Sequence, residues 1–339
     1  MFDFSSSINL PLIWGLLIAT AIFLYVFLDG FDLGTGIIFP LAPTDECRNR
    51  MMNSIAPFWD GNETWLVLGG GGLFAAFPLA YSILLPAFYI PIISMLLGLI
   101  LRGVAFEFRF KANKSRFIWD HVFHFGSLIA AFCQGVILGG FILGVQVHGR
   151  NFSGGAFDWL TPFSVMTGLA LIFGYALLGS TWLIMKTEGI TQAWARKVAK
   201  YALAFVGLFL LIVTIAMPFL NQEIKTFWFS LPTFYYLAIV PLVSASLYIL
   251  VAYDLIKQKP EYRPFLCSIG IFLTAYVGLG LSVYPWIIPF KYTLKEAAAS
   301  GPGLSLLLVG VVPLLPLILG YTAYCYYIFR GKAGHEPLY

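Results

Sequence analysis

The sequence predicts an all-α, polytopic integral membrane protein, and its composition and patterning carry that prediction. Hydrophobic residues make up 60% of the 339 residues and charged residues only 11%, unlike a soluble domain. The apolar runs continue for about 20 residues instead of alternating in pieces of about 10, which favours helices over an outer-membrane barrel. Basic residues form no run long enough to bind a polyanion, so we expect a lipid bilayer around the chain and no nucleic-acid partner.

Windows of about 20 apolar residues predict eight clear spans. These spans cover residues 10–37, 77–101, 119–147, 160–185, 198–219, 230–253, 264–290 and 303–329. A ninth helix is predicted because the uncharged stretch from Trp65 to Leu101 is too long for one span and too short for two spans with a turn. That helix must begin before Trp65, so it carries Asp60 and Glu63 into the bilayer.

The basic residues orient the predicted spans. With nine spans and the N-terminus outside, most Lys and Arg residues fall in cytoplasmic loops, whereas eight spans would move Arg48 and Arg50 outside. We therefore predict about nine transmembrane helices, with the C-terminus in the cytoplasm. The connecting loops are short, so residues 1–339 are predicted to form a single transmembrane domain.

The stretch FLDGFDLGTG places Asp29 and Asp32 three residues apart, on one face of the first predicted helix. About nineteen apolar residues precede them, which already suffice to cross the hydrocarbon. One interpretation therefore places both acids in the headgroup region at the cytoplasmic end of this helix. Another makes them an entrance that collects protons or cations, and the two interpretations are compatible because an entrance lies at the interface.

Asp60 and Glu63 repeat this spacing in FWDGNETWLVLGGGG. They lie about ten residues beyond Arg50, hence roughly 15 Å deeper along a continuous helix. Carboxylates inside a bilayer must face protein or water, which predicts a relay or a cation site. The alternative is an interfacial or re-entrant segment, because Trp59 and Trp65 are of a residue type that favours interfaces. The following run of four glycines predicts close packing against a neighbouring helix.

Other polar residues in the apolar runs have simpler interpretations. His121 and His124 have the spacing of a metal or haem ligand pair, but their position at the start of a span favours a hydrogen-bonding interface pair. Arg102 and Glu107 are interpreted as a snorkelling arginine and an interface acid. The four cysteines lie far apart without CxxC spacing, so we predict no zinc site, iron–sulfur cluster or disulfide. No soluble-enzyme motif is present, so the cofactors of a redox complex would belong to another chain.

Several motifs together resemble subunit II of the cytochrome bd-type quinol oxidases. They are LDGFDLGTG at 28–36, NSIAPFWDGNETWLVLGGGGLFAAFP at 53–78, LRGVAFEFR at 101–109, WDHVFHFGS at 119–127 and YTAYCYYIFRG at 321–331. The resemblance covers essentially the whole chain, although the second half is similar mainly in layout. It implies two four-helix bundles plus one peripheral helix in the cell (inner) membrane of a bacterium or archaeon.

The resemblance also implies the function of a haem-free subunit in a complex that oxidises quinol and reduces O2 to water. Haems b and d belong to subunit I, which this subunit stabilises, and the resemblance leaves room for a structural quinone and a small single-span accessory subunit. Protons from the cytoplasm are implied to enter at Asp29 and to pass Asp60 toward subunit I. Asp32 matches the second acid of the DGFD motif, and Glu63 departs from relatives that have glutamine there.

Two other classes of function stay open on the sequence alone. A secondary transporter or ion channel would use the same intramembrane carboxylates as a cation site. Such a protein would work as a single colourless polypeptide, whereas an oxidase subunit needs its haem-bearing partner. A metal-dependent intramembrane enzyme would instead be built on His121 and His124.

Overall fold

The computed structural model describes residues 9–112 and 114–334. The side of the membrane on which each chain end lies stays a prediction. Within these residues the chain forms fourteen α-helices and two short hairpins, which confirms the all-α class. The helices are α1 (Leu10–Ile38), α2 (Asp45–Ile55), α3 (Trp59–Ala76), α4 (Pro78–Ala87), α5 (Tyr89–Lys111), α6 (Arg116–Leu143), α7 (Pro162–Lys186), α8 (Gly189–Leu220), α9 (Gln222–Phe229), α10 (Thr233–Leu237), α11 (Ile239–Lys257), α12 (Arg263–Val283), α13 (Leu294–Ala297) and α14 (Gly301–Ile328). The antiparallel hairpins pair β1 (Val147–His148) with β2 (Asn151–Phe152) and β3 (Trp286–Ile288) with β4 (Tyr292–Thr293).

Eight of the described helical segments are long and apolar enough to cross a membrane. They are Leu10–Leu41, Tyr89–Lys111, Arg116–Leu143, Pro162–Lys186, Gly189–Leu220, Thr233–Lys257, Arg263–Val283 and Gly301–Ile328. Helix α3 has 18 residues and is roughly 27 Å long, but it is less apolar because it carries Asp60 and Glu63. The described residues therefore contain eight such segments, and a ninth span formed by α3 stays a prediction.

Two predicted spans have wrong boundaries. The helix predicted for residues 77–101 is broken, since Pro78 starts the short helix α4 and the span begins only at Tyr89. Proline suits the first position of a helix, because it lacks the N–H that a continuing helix would use. The span predicted for residues 264–290 ends at Val283, because the residues beyond it form strand β3.

The long helices pack in two groups of four. Helices α1, α3, α5 and α6 form the first group and α7, α8, α11 and α12 the second, while α1 and α6 also lie against α7. Helix α14 packs on α1 and α3 at the edge, and Leu304 is its one buried residue in the described chain. This grouping matches the two bundles and the peripheral helix that the resemblance implies.

Glycines of the first helix allow the two groups to approach each other. A Cβ at Gly34 would lie 1.8 Å from the carbonyl oxygen of Tyr175 on α7, and a Cβ at Gly36 would lie 2.1 Å from Oγ of Ser127 on α6. Both distances are far below van der Waals contact, so a larger residue would force the helices apart. The glycines of the DGFDLGTG motif thus bring α6 and α7 close to the acids of the same motif.

Only one face of the glycine run on α3 packs against another helix in the described chain. Gly69 and Gly72 face Ile22 and Ile18 of α1, where an added Cβ would lie 3.2 and 3.1 Å from the isoleucine side chains. An added Cβ at Gly70 or Gly71 would meet nothing within 4 Å in the described chain. The predicted close packing is therefore found for half of the run, and the other half faces outward.

The segment after α14 is fastened to the ends of other helices. The backbone N–H of Ala333 donates to the carbonyl of Lys186 at 2.7 Å, and Nζ of Lys186 donates to the carbonyl of Phe329. Nζ of Lys332 forms an ion pair with Oε2 of Glu261 at 2.5 Å. These contacts fix the C-terminal end of an otherwise exposed helix against α7 and the loop before α12.

Candidate functional site

The two acids of the DGFD motif lie inside the protein. Asp29 and Asp32 are both 0% exposed, and Asp29 is roughly 13 Å from the end of α1 at 1.5 Å per residue. Neighbouring helices enclose both carboxylates, so the two acids face protein, and their depth in the bilayer stays a prediction. The glycines that bring α6 and α7 close to α1 account for this enclosure.

Arg102 of α5 joins two of the predicted site residues. Its Nη1 lies 2.5 Å from Oδ1 of Asp29, and its Nη2 lies 2.7 Å from Oε2 of Glu63. The arginine side chain is 2% exposed and that of Glu63 is 32% exposed. The interpretation of Arg102 as a snorkelling residue is wrong, because its guanidinium points inward and forms a charge-assisted bridge between α1, α3 and α5.

Sequence reasoning missed this bridge, although the sequence holds a signal for it. Arg102 stands as many residues before the end of α5 at Lys111 as Asp29 stands before the end of α1 at Ile38. In the predicted topology both helices run toward the cytoplasmic side, which would place the two charges at the same depth. Opposite charges at equal depth in a membrane protein tend to pair.

A second chain of contacts reaches Asp32 from the last helix. Nδ2 of Asn62 donates to Oδ2 of Asp32 at 2.7 Å, and the hydroxyl of Tyr326 on α14 donates to Oδ1 of Asn62 at 2.9 Å. Among the described residues, neither Oδ1 of Asp32 nor Oδ2 of Asp29 has a hydrogen-bond partner. Asn62 and Tyr326 belong to the motifs of the resemblance, yet spacing along the chain gives no indication that they meet.

Two tyrosines and a glutamine extend the polar cluster between α1, α6 and α7. The hydroxyl of Tyr175 donates to Oε1 of Gln134 at 2.6 Å, and Nε2 of Gln134 donates to the hydroxyl of Tyr25 at 2.7 Å. Tyr25 lies one helical turn before Asp29 and contacts its carboxylate. In this series of hydrogen bonds, each donor therefore points to the next group on the way to Asp29.

Asp60 differs from the other three acids. It is exposed in the first turn of α3, and within the described chain its carboxylate forms no hydrogen bond or ion pair. Of the two acids that were predicted to face protein or water, only Glu63 reaches Arg102, and the surroundings of Asp60 in the membrane stay a prediction. The depth of 15 Å derived for a continuous helix fails, because α2 ends at Ile55 and α3 starts at Trp59. The outward face of α3 holds Asp60, Gly61, Thr64, Val67, Gly70, Gly71 and Phe74.

The histidine pair behaves as a hydrogen-bonding pair at a helix end. Nδ1 of His121 lies 2.8 Å from the carbonyl oxygen of Phe117, and Nδ1 of His124 lies 3.2 Å from that of Gly36. In residues 9–112 and 114–334, no group of three or more His, Cys, Asp and Glu side chains is arranged to hold a metal ion. All four cysteines are free, and Cys47, Cys133 and Cys267 are buried, as small hydrophobic residues are.

The sequence of the chain is similar to that of known oxidase subunits. The family model for cytochrome bd terminal oxidase subunit II matches residues 10–329. Subunit 2 of the cytochrome bd ubiquinol oxidase of Bacillus subtilis (strain 168) is 30% identical over 338 residues, covering 96% of this chain and 98% of the relative. Subunit 2 of the cytochrome bd-I ubiquinol oxidase of Escherichia coli (strain K12) is 28% identical over 369 residues, covering 97% of this chain and 96% of the relative.

A solved structure has the same fold. The bd oxidase from Geobacillus thermodenitrificans includes a chain that matches with a TM-score of 0.73 and 16% sequence identity, covering 96% of this chain and 100% of that one. At this identity the likeness concerns the arrangement of the helices alone. It supports the architecture found here over nearly the whole length of the chain.

Proposed function

The chain belongs to the family of cytochrome bd terminal oxidase subunit II, and we propose that it is the haem-free subunit II of a quinol:oxygen oxidoreductase. Its relatives are subunits of a respiratory quinol oxidase, so the chain is a subunit of a multi-pass bacterial membrane enzyme with subunit I as its partner. In this proposal, subunit I binds haems b and d and carries electrons from quinol to O2. Family membership favours this function over a transporter, a channel or a histidine-based enzyme.

The contribution of this chain is to stabilise subunit I and to supply it with protons from the cytoplasm. Reduction of O2 to water consumes protons, which cross the low-dielectric part of a membrane protein only along ionisable or hydrogen-bonding groups. The observation that carries the proposal is the cluster of Asp29, Asp32, Glu63 and Arg102, in which only Glu63 is partly exposed. In the predicted topology this cluster lies in the cytoplasmic half of the helices. Arg102 pairs with two of the three carboxylates and leaves Asp32 without a cation among the described residues, so the cluster contains acids that can exchange protons.

The proposed route runs from the two acids of α1 to the outward face of α3. Glu63 is half-buried and contacts Arg102, while Asp60 lies one turn away on the same helix. Protons would pass from Asp29 and Asp32 by way of Glu63 to Asp60, and from Asp60 into subunit I. The structural quinone and the small single-span accessory subunit stay expectations of the resemblance.

The same face of α3 is the proposed contact with subunit I. A carboxylate and two glycines on a lipid-facing surface would be costly and without purpose, whereas both suit a close contact between helices. An added Cβ at Gly70 or Gly71 would meet nothing within 4 Å in the described chain, so space for a partner helix exists there. Covered by subunit I, Asp60 would leave the lipid and face the protein that consumes the protons.

The decisive variant is Asp60→Asn in the assembled complex. We expect it to co-purify with subunit I and to keep the reduced-minus-oxidised haem spectrum, but to lose most of the quinol-driven oxygen uptake, because the amide cannot carry a proton. Asp60→Glu should retain uptake, and Glu223→Gln, on an exposed residue of α9, is the matched control. Normal uptake in an assembled Asp60→Asn complex would refute the relay, and loss of assembly would indicate a structural role instead.

A further inference from the structure

The acidic cluster contains a carboxylate that its arginine does not reach. Both terminal nitrogens of Arg102 are engaged, one with Asp29 and the other with Glu63. Asp32 forms no ion pair with any residue in the described chain, although it is 0% exposed. A buried carboxylate without a cation is costly, and such a group becomes neutral by binding a proton.

The groups that face Asp32 do not supply the missing charge. Asp29 on α1 and Glu63 on α3 are themselves acids, and Arg102 on α5 already pairs with both. Asn62 on α3 offers a neutral amide donor to Oδ2 of Asp32, and Oδ1 has no partner among the described residues. A neutral carboxylic acid fits these surroundings better than an ion does.

We propose that Asp32 holds a proton in the resting protein and that Tyr326, acting through Asn62, sets the orientation of this acid. The two hydrogen bonds run in one direction, from the hydroxyl of Tyr326 to Oδ1 of Asn62 and from Nδ2 of Asn62 to Oδ2 of Asp32. Nδ2 of Asn62 also donates to the carbonyl oxygen of Leu28 at 3.3 Å, so Tyr326 and this carbonyl together fix which end of the Asn62 amide faces the acid. The use of this proton in O2 reduction rests on the proposed proton path. The presence of the proton on Asp32 does not depend on that path.

Tyr326 is a positioning residue that the rest of the chain holds in place. Its ring stacks on Phe58 with centroids 4.3 Å apart. The segment beyond α14 is fastened to α7 by the hydrogen bond from Ala333 to Lys186. The last helix, otherwise peripheral, thus reaches the centre of the acidic cluster through one hydroxyl. Tyr324 on the same helix is 61% exposed and provides a matched control.

The protonated acid can be observed without turnover by infrared spectroscopy of the resting complex with subunit I. A protonated carboxyl group has a C=O stretching band that a carboxylate lacks and that shifts on exchange into D2O. We expect Asp32→Asn to remove one such band and Asp32→Glu to displace it, with Glu223→Gln as a control that leaves it unchanged. Tyr326→Phe should shift the band, and Tyr324→Phe should leave it in place.

The possible outcomes separate this inference from the proposed function. If the spectra of Asp32→Asn and Asp32→Glu both equal that of the unmodified complex, the proton does not lie on Asp32. If Tyr326→Phe and Tyr324→Phe give the same band position, Tyr326 does not orient the acid. A band lost in Asp32→Asn supports the inference even where Asp60→Asn respires normally, because the spectrum reports protonation and oxygen uptake reports the path.

Discussion

The ion pairs of Arg102 allow a quantitative test of the cluster. The substitution Arg102→Met keeps much of the length and apolar volume of the side chain but removes the charge that contacts Asp29 at 2.5 Å and Glu63 at 2.7 Å. Removing one partner of a buried ion pair typically costs about 3–5 kcal/mol, because the other charge stays buried. Glu63 is 32% exposed and screened by solvent, so it adds at most about 1 kcal/mol.

Asp29 therefore dominates the expected loss. A cost of about 3–5 kcal/mol corresponds to more than a hundredfold change in an equilibrium constant. We expect purified Arg102→Met complex to lose its haem absorbance and its monodisperse elution at a lower temperature than the unmodified complex. Arg102→Lys should lie in between, because a lysine ammonium lacks the fork that reaches both carboxylates.

A double-mutant cycle distinguishes pairing from a general packing defect. In the variant Arg102→Met with Asp29→Asn, the uncompensated charge is gone, so we expect much of the lost stability to return. Contacting residues show coupling energies of about 0.5–3 kcal/mol in such cycles, whereas independent sites are additive. If Arg102→Met is as stable as the unmodified complex, or if the two single losses simply add, the pairing of these residues is refuted.

Three further outcomes follow from other parts of the chain. Gly34→Ala should prevent assembly, because its Cβ would lie 1.8 Å from the carbonyl oxygen of Tyr175, and this is read as loss of the folded peak in size-exclusion chromatography. Gly71→Leu should leave the isolated chain folded and weaken its co-purification with subunit I, since the space at this position is open in the described chain. Lys332 holds the pKa of Glu261 below its ordinary value, so this pair should add at most about 1 kcal/mol at neutral pH and lose it as the pH falls through the lowered pKa. Proteolysis of the tail should report this loss, and Glu261→Gln should abolish the pH dependence.

The membrane architecture follows from the sequence because hydropathy acts locally. An apolar run of about 20 residues must form a helix in lipid, whatever its neighbours are. The same argument fails between Trp65 and Leu101, where no charge marks the ends and the break depends on where Pro78 starts a new helix. Helix boundaries in such a run are set by proline and by packing, and hydropathy does not report either.

The site was harder to predict because it depends on how helices are rotated. Asp60 and Glu63 are three residues apart, which separates them by about 60° around a helix axis. Rotation of α3 alone decides that Glu63 turns to Arg102 and Asp60 turns away. The contacts of Gly69 and Gly72 with α1 fix this rotation. The spacing of residues along the chain does not predict these contacts. The structure brings Asp29, Asp32 and Glu63 together around Arg102 and leaves Asp60 apart, while the role of these acids in proton transfer stays a prediction.

The four acids have different surroundings, and we therefore expect them to have different roles. Asp29 and Arg102 neutralise each other, so Asp29 also keeps the guanidinium in place besides its proposed part in the proton path. Glu63 shares the same guanidinium but is partly exposed, so it can exchange a proton with less change in its surroundings. Asp32 has no cation among the described residues, and the carboxylate of Asp60 has no side-chain partner there, so in the proposed path neither of these two acids also holds a cation in place. On this argument Asp29→Asn should damage assembly more than Asp32→Asn does. Equal assembly of the two variants, compared by co-purification with subunit I, would contradict this difference in roles.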